Sequence, residues 1–191
     1  MQSRSNARLF WAVIACVAVV DVVTKAIAER ALVPPRVPRE VLGNALRFTL
    51  VYNPGAAFGL HLGPYSRVIF TTLTALALVI LGRLYRATLP GDGWRTLALA
   101  LVCGGAVGNL LDRLRSNLGV VDFLDVGIGD VRWPTFNVAD MAVSCGAVLL
   151  ALVLWREDQM VTAAAKARAS LDAGTTPLAG TVPPADAGGL L

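Results

Sequence analysis

Charge is what this sequence has least of. Only 16% of its 191 residues are Asp, Glu, Lys or Arg, against roughly 25% in ordinary soluble domains. Histidine occurs once, and the three cysteines (Cys16, Cys103, Cys145) lie in apolar runs with no Cys-x-x-Cys spacing. That leaves little material for a zinc site, so no metal and no cofactor are expected. No period of roughly 20–50 residues recurs, which excludes a solenoid. The net charge of +4 is modest and its basic residues are scattered rather than clustered with aromatics, which gives nucleic-acid binding little support. What the chain does have is apolar surface: 55% of it is hydrophobic, and its mean hydropathy is +0.63. A water-soluble globule does not have that composition, and neither does a disordered chain. The sequence is that of a membrane protein.

A helix crossing a hydrocarbon core of about 30 Å needs roughly 20 mostly apolar residues. Four stretches qualify: Leu9 to Ala28, Val68 to Leu84, Thr96 to Leu111 and Val138 to Trp155. In the first, Val13-Ile14-Ala15-Cys16 after Arg4 and Arg8 looks like a lipoprotein cleavage box. The apolar run continues through Val20, however, so the segment is read as a true span rather than a cleaved leader. Basic residues divide evenly between the two faces. The short loop with Arg83, Arg86 and Arg95 then favours cytoplasmic termini. Trp11, Trp94 and Trp155 fall at one interface, and Tyr65, Trp133 and Phe136 at the other.

The two outer connections, about 29–67 and 112–137, carry strand-like stretches at Leu46–Tyr52 and Val120–Asp125, enough for a small sheet on the membrane surface. The expected organisation is a cytoplasmic N-terminus over 1–8, a four-helix membrane domain over 9–156, and a cytoplasmic tail over 157–191. Its Ala, Gly, Thr, Pro and Asp after Met160 predict disorder in that tail.

Ionisable residues within spans cost about 2.5–3.5 kcal/mol each at a span centre, so they mark function by default. Asp21, Thr24 and Lys25 stand at i, i+3 and i+4 and share one helix face, where Asp21 can pair with Lys25. Asn109, Asp112 and Arg113 repeat that spacing, and Asn137 and Asp140 stand at i and i+3. With both termini on one side, these faces converge at one surface near Asp122 and Asp125. Gly104 and Gly108 have the small-xxx-small spacing that lets a neighbouring helix approach Asn109 and Asp112.

Carboxyl groups that meet at a dehydrated surface divide one proton between them, and such a pair can hydrolyse a peptide bond with water alone. Asp140, with no basic residue at i±3 or i±4, is the strongest candidate. Its partner is Asp122 or Asp112. Arg113 beside Asp112 argues that Asp112 stays ionised and paired, whereas Asp122 has no basic neighbour. Ser144 has no accompanying histidine, and His61 reads as a loop residue. Gly127-Ile128-Gly129-Asp130 matches the GxGD pattern of presenilin-like proteases but sits in a loop, where Gly-Asp is a turn former. The alternative reading is a polytopic transporter or proton pathway using intramembrane Asp and Lys. It expects polar groups through the depth of the membrane, but 76–81 and 148–154 are purely apolar.

Five motifs stand in order over residues of roughly 9 to 156: Asp21-Val22-Val23-Thr24-Lys25; Asn53-Pro54-Gly55-Ala56-Ala57-Phe58; Gly104 to Arg113; Val120-Val121-Asp122-Phe123; and Phe136-Asn137-Val138-Ala139-Asp140. In these the chain closely resembles the bacterial lipoprotein signal peptidases, or signal peptidase II. The resemblance implies an all-α membrane protein of four transmembrane helices in the bacterial cytoplasmic membrane, with an extracytoplasmic β-cradle and a loop helix over a site near the outer surface. It also implies an aspartic endopeptidase that cuts prolipoproteins before a diacylglyceryl-modified cysteine. Its catalytic pair would be Asp122 and Asp140. Asn53, Gly55, Asn109, Asp112, Arg113 and Asn137 would hold the substrate, with Asp21 and Lys25 in support. Partners would be those substrates and membrane lipids, and a monomer suffices.

Overall fold

A computed structural model describes residues 4–55 and 63–174. Ala56, Ala57 and Phe58 of the second motif, His61 and residues 175–191 lie outside the described residues. The chain divides into two units, Met1–Val153 and Leu154–Leu191. The first holds helices α1 (Arg4–Ala31), α2 (Ser66–Ala87) and α3 (Gly93–Arg115), the first part of α4 (Val138–Gly174), and strands β1 (Arg39–Leu42), β2 (Leu46–Asn53), β3 (Val120–Ile128) and β4 (Val131–Arg132).

All four helices are long and apolar enough to cross a membrane. In a bilayer no water satisfies the backbone, so an apolar run without proline closes its own hydrogen bonds as a helix. Turn chemistry sets the ends: α2 stops before Pro90, and the Asp92 side chain caps α3 by accepting the Arg95 N–H at 3.0 Å. Val19, Val23 and Ile27 of α1 and Leu73, Leu76 and Val79 of α2 lie exposed on the protein, as lipid-facing surface does.

Helix α3 packs against α1 and α2, and its glycines set how close α1 and α4 come. A Cβ on Gly104 would lie 2.9 Å from Val17 Cβ of α1. One on Gly105 would strike the Ala139 carbonyl of α4, and one on Gly108 would lie 2.5 Å from Asp21 Oδ2. The glycines thus bring Asp21 of α1 and Ala139 of α4 onto the same stretch of α3.

The strands form one antiparallel sheet in the order β1-β2-β3-β4. Val51 pairs with Asp122 and Asn53 with Val120, while two residues of β2 oppose one of β3 between Phe48 and Val51. Side chains alternate along a strand. Val121 and Phe123 join Leu50 and the end of α1 (Ala28, Leu32) in a buried apolar cluster, which leaves Asp122 for the opposite face. Gly129 (φ 58°) and Asp130 form the two-residue turn from β3 to β4, so the GxGD match lies in a hairpin.

The C-terminal stretch differs from expectation. Helix α4 runs to Gly174, so residues 157–174 are helical rather than disordered. Ala163, Ala164, Ala165, Ala167 and Ala169 are strong helix formers, and neither Gly nor Pro interrupts the run before Gly174. The described part of the β2–α2 connection contains a 3-10 turn, Gly63–Tyr65, and the rest of the stretch expected to hold a loop helix, residues 56–62, lies outside the described residues.

Candidate active site

The polar residues of α1 and α3 meet at a buried lysine. Lys25, 1% exposed, places Nζ 2.7 Å from Asp21 Oδ2, 2.9 Å from Asp112 Oδ2 and 2.9 Å from Asn109 Oδ1. An ammonium has three donors and three directions to satisfy, and here each has an oxygen. Two carboxylates against one lysine leave a surplus negative charge. Backbone donors meet it: Asp21 Oδ1 accepts the Ala139 N–H at 2.9 Å, in the first turn of α4, and Asp112 Oδ2 accepts the Val121 N–H at 3.2 Å. The pairing of Asp21 with Lys25 follows the i, i+4 spacing. The cation for Asp112 is Lys25 and not Arg113, because adjacent helical residues point about 100° apart. Arg113 instead donates to the carbonyls of Gly55 (3.2 Å) and Asn109 (3.3 Å).

Three asparagines carry this cluster to two further carboxylates. Asn109 Nδ2 donates to Asp140 Oδ1 at 2.8 Å. Asn137 caps α4: its Oδ1 accepts the Asp140 N–H at 3.0 Å, and Asp140 Oδ2 accepts the Asn137 N–H at 3.2 Å. This is a reciprocal capping box with Asp at its fourth position. Asn137 Nδ2 reaches Asp122 Oδ1 at 2.6 Å. Asn53 Nδ2 reaches Asp122 Oδ2 at 3.1 Å, while Asn53 Oδ1 accepts the Gly55 N–H at 3.0 Å. Every oxygen of Asp122 and Asp140 therefore accepts a hydrogen bond.

Asp122 and Asp140 line one cleft of about 470 Å³ with Asn53, Asn109, Arg113, Trp133 and Phe136. Burial raises the Asp122 carboxyl to about 7, and the neighbouring charge of Asp140 adds to the rise. Asp112, Asp21 and Lys25 sit behind the cleft rather than on its wall. Asp125 stands apart on the sheet. It is bonded by Arg47 Nε (3.0 Å), Arg132 Nε (2.8 Å) and Thr49 Oγ1 (3.0 Å), and these hydrogen bonds outweigh its burial and hold its carboxyl below the usual range. Sequence reasoning missed Pro134, Thr135 and Val143, which also line the cleft, and read Trp133 as an interface anchor only. The signal for Thr135 and Pro134 was their position just before Asn137.

A bundle of spans that carries two carboxylates in one cleft defines a class: integral membrane proteins with a polar site at one end of the bundle. The comparisons narrow it. The family described as signal peptidase (SPase) II matches residues 13–156. The lipoprotein signal peptidase of Mycolicibacterium smegmatis is 41% identical over 154 residues, covering 78% of this chain and 62% of that protein. The lipoprotein signal peptidase of Syntrophotalea carbinolica is 40% identical over 152 residues, covering 78% of this chain and 92% of its own length. A bacterial membrane enzyme solved by the in meso method at 2.3 Å superposes with a TM-score of 0.70 at 28% identity, over 78% of this chain and 88% of that one. The chain belongs to the signal peptidase II family. It is a multi-pass membrane protease of bacterial type.

Proposed function

We propose that the chain is an aspartic endopeptidase that removes the signal peptide from prolipoproteins, cutting before a cysteine that carries diacylglycerol. Asp122 and Asp140 form its catalytic pair: one activates water and the other carries the proton given to the scissile carbonyl. The observation that carries this reading is that these two carboxylates line one cleft with amide donors on all four oxygens and, among the described residues, no ion pair to either. Asp112 is the weaker partner for Asp140, since it is engaged by Lys25 in an ion pair at 2.9 Å. Asn53, Gly55, Asn109, Arg113 and Asn137 hold the substrate backbone, and its acyl chains lie along the apolar flank of Trp133, Phe136 and Met141. Residues 9–156 constitute the peptidase domain. Both termini are cytoplasmic, the sheet-bearing end faces outward, and the working unit is a monomer.

The test is cleavage of a purified diacylglyceryl-modified prolipoprotein in nanodiscs by wild type, Asp122→Asn, Asp140→Asn and Asp112→Asn, each checked for folding by its melting temperature. Folded but inactive Asp122→Asn and Asp140→Asn, beside a partly active Asp112→Asn, support the pair. An inactive Asp112→Asn beside an active Asp122→Asn reassigns it.

A further inference from the structure

The two carboxyl groups of the cleft accept the same number of hydrogen bonds, yet their surroundings differ, and the difference begins at Lys25. An ammonium only donates, so the Asn109 atom 2.9 Å from Lys25 Nζ is the carbonyl Oδ1. That fixes the amide: Nδ2, also a donor only, is the atom 2.8 Å from Asp140 Oδ1. The second oxygen of Asp140 faces the Asn137 backbone N–H, and Asp140 itself stands in the first turn of α4, where the helix dipole favours negative charge. Lys25 polarises the Asn109 amide further in that direction.

Asp122 is held differently. It lies on a strand, 3% exposed, and its donors are the side-chain amides of Asn137 and Asn53. The Asn137 Nδ2 is shared with the Val121 carbonyl and Asn109 Oδ1, each at 3.2 Å. The charged groups facing the pair are Asp21 and Lys25 on α1 and Asp112 and Arg113 on α3. Of these two cations, Lys25 contacts the side-chain amide of Asn109, which donates to Asp140.

Resting on the aspartic mechanism proposed above, we infer that Lys25, acting through Asn109, is a positioning residue that decides which aspartate carries the proton: Asp140 is held ionised as the base and Asp122 is the acid. Asp140 takes a proton from water as the water oxygen bonds to the scissile carbonyl carbon, and the proton of Asp122 passes to the carbonyl oxygen. The tetrahedral diol collapses when Asp140 gives its proton to the leaving nitrogen and Asp122 takes one hydroxyl proton back. The C–N bond breaks, and both groups return to their starting states.

Infrared difference spectroscopy of the full chain in nanodiscs, below the midpoint of the carboxyl titration, reads the acid directly. The protonated-carboxyl band disappears in Asp122→Asn and persists in Asp140→Asn. A band that persists in Asp122→Asn and disappears in Asp140→Asn overturns the assignment. For the link to Lys25, kcat/KM is followed against pH in Asn109→Ala, or in Asn109→Ser where the alanine variant does not purify folded. Loss of a hydrogen bond to a charged group moves the acidic limb up by about one pH unit or more and leaves the basic limb in place. If activity falls while both limbs stay, Asn109 merely packs and the relay is wrong. If folded Asp122→Asn and Asp140→Asn both cleave, the aspartic reading itself fails instead.

Discussion

Asp122 and Asp125 stand three residues apart on β3, both buried, and they meet opposite surroundings. Asp125 is gripped by two arginines and a threonine hydroxyl, and its carboxyl is held below the usual range. Asp122 is met by two asparagine amides and, among the described residues, by no ion pair, and burial raises its carboxyl to about 7. Neutral donors satisfy the lone pairs of a carboxylate without supplying the charge that would lock it ionised. Amide solvation in a cleft leaves a carboxyl free to trade its proton, while guanidinium solvation makes it a rivet for the sheet. Asp21 and Asp112 are also ion-paired, with Lys25 in place of the arginines.

The sharpest way to break that contrast is to make the same substitution at both positions. Asp122→Asn should lower prolipoprotein cleavage by roughly 10²- to 10⁴-fold, the usual share of a general acid or base, at nearly unchanged melting temperature. Asp125→Asn should keep turnover within about threefold and lose about 1–3 kcal/mol of stability by leaving the two arginines short of a partner. Equal losses of activity from the two would erase the distinction.

Removing the cation rather than an acid tests the cluster behind the cleft. Lys25→Met leaves Asp21 and Asp112 buried without their counter-ion and should cost about 3–5 kcal/mol, read as a fall in melting temperature. Adding Asp21→Asn and Asp112→Asn to that variant should recover much of the loss. No recovery would mean that Lys25 contributes by packing.

A smaller effect is expected at the glycine behind the same cluster. Gly108→Ala sets a methyl against Asp21 Oδ2 and should cost about 1–3 kcal/mol. Gly82→Ala on α2, where a Cβ meets nothing within 4 Å, should be neutral or stabilise by up to about 1 kcal/mol. Thermal unfolding of the two variants side by side decides it.

The pH dependence of the sheet should be the smallest signal. The carboxyl of Asp125 sits lower in the folded protein than its ordinary value of 3.8, so its stabilisation is complete above that value and fades as pH falls through the folded pKa. Asp125→Asn should flatten this acid limb of melting temperature against pH. An unchanged limb would assign the acid sensitivity to another carboxylate.

Much of this arrangement is legible in the residues because membrane physics is simple. Apolar length gives the four spans, and helical periodicity gives the Asp21–Lys25 pair. Alternation at Leu46–Tyr52 and Val120–Asp125 anticipates β2 and β3. Asn137 and Asp140, three apart at the start of a span, are also readable as a helix cap. Contacts between distant segments were not legible. The partner of Asp112 lies 87 positions away at Lys25, while the misleading Arg113 stands next to it. Strand β1, in a stretch broken by Pro34, Pro35 and Pro38, gave no pattern, and it forms because β2 offers it an edge. The helical continuation to Gly174 was hidden by composition, since the alanines that suggest a low-complexity tail also favour a helix.

The cap on α4 has one more consequence, and it concerns timing. The carboxyl of Asp140 closes the first turn of the last span, and the side chain that caps this turn also bonds Asp122. Folding of that turn and completion of the paired site are therefore a single event. During synthesis, the residues of α1, α3 and β3 are laid down first and wait without their counterpart until the fourth helix enters the bilayer. A chain that stalls before Asn137 lacks both Asp140 and the cap that bonds Asp122, so the cluster stays open until the start of the fourth helix is in place.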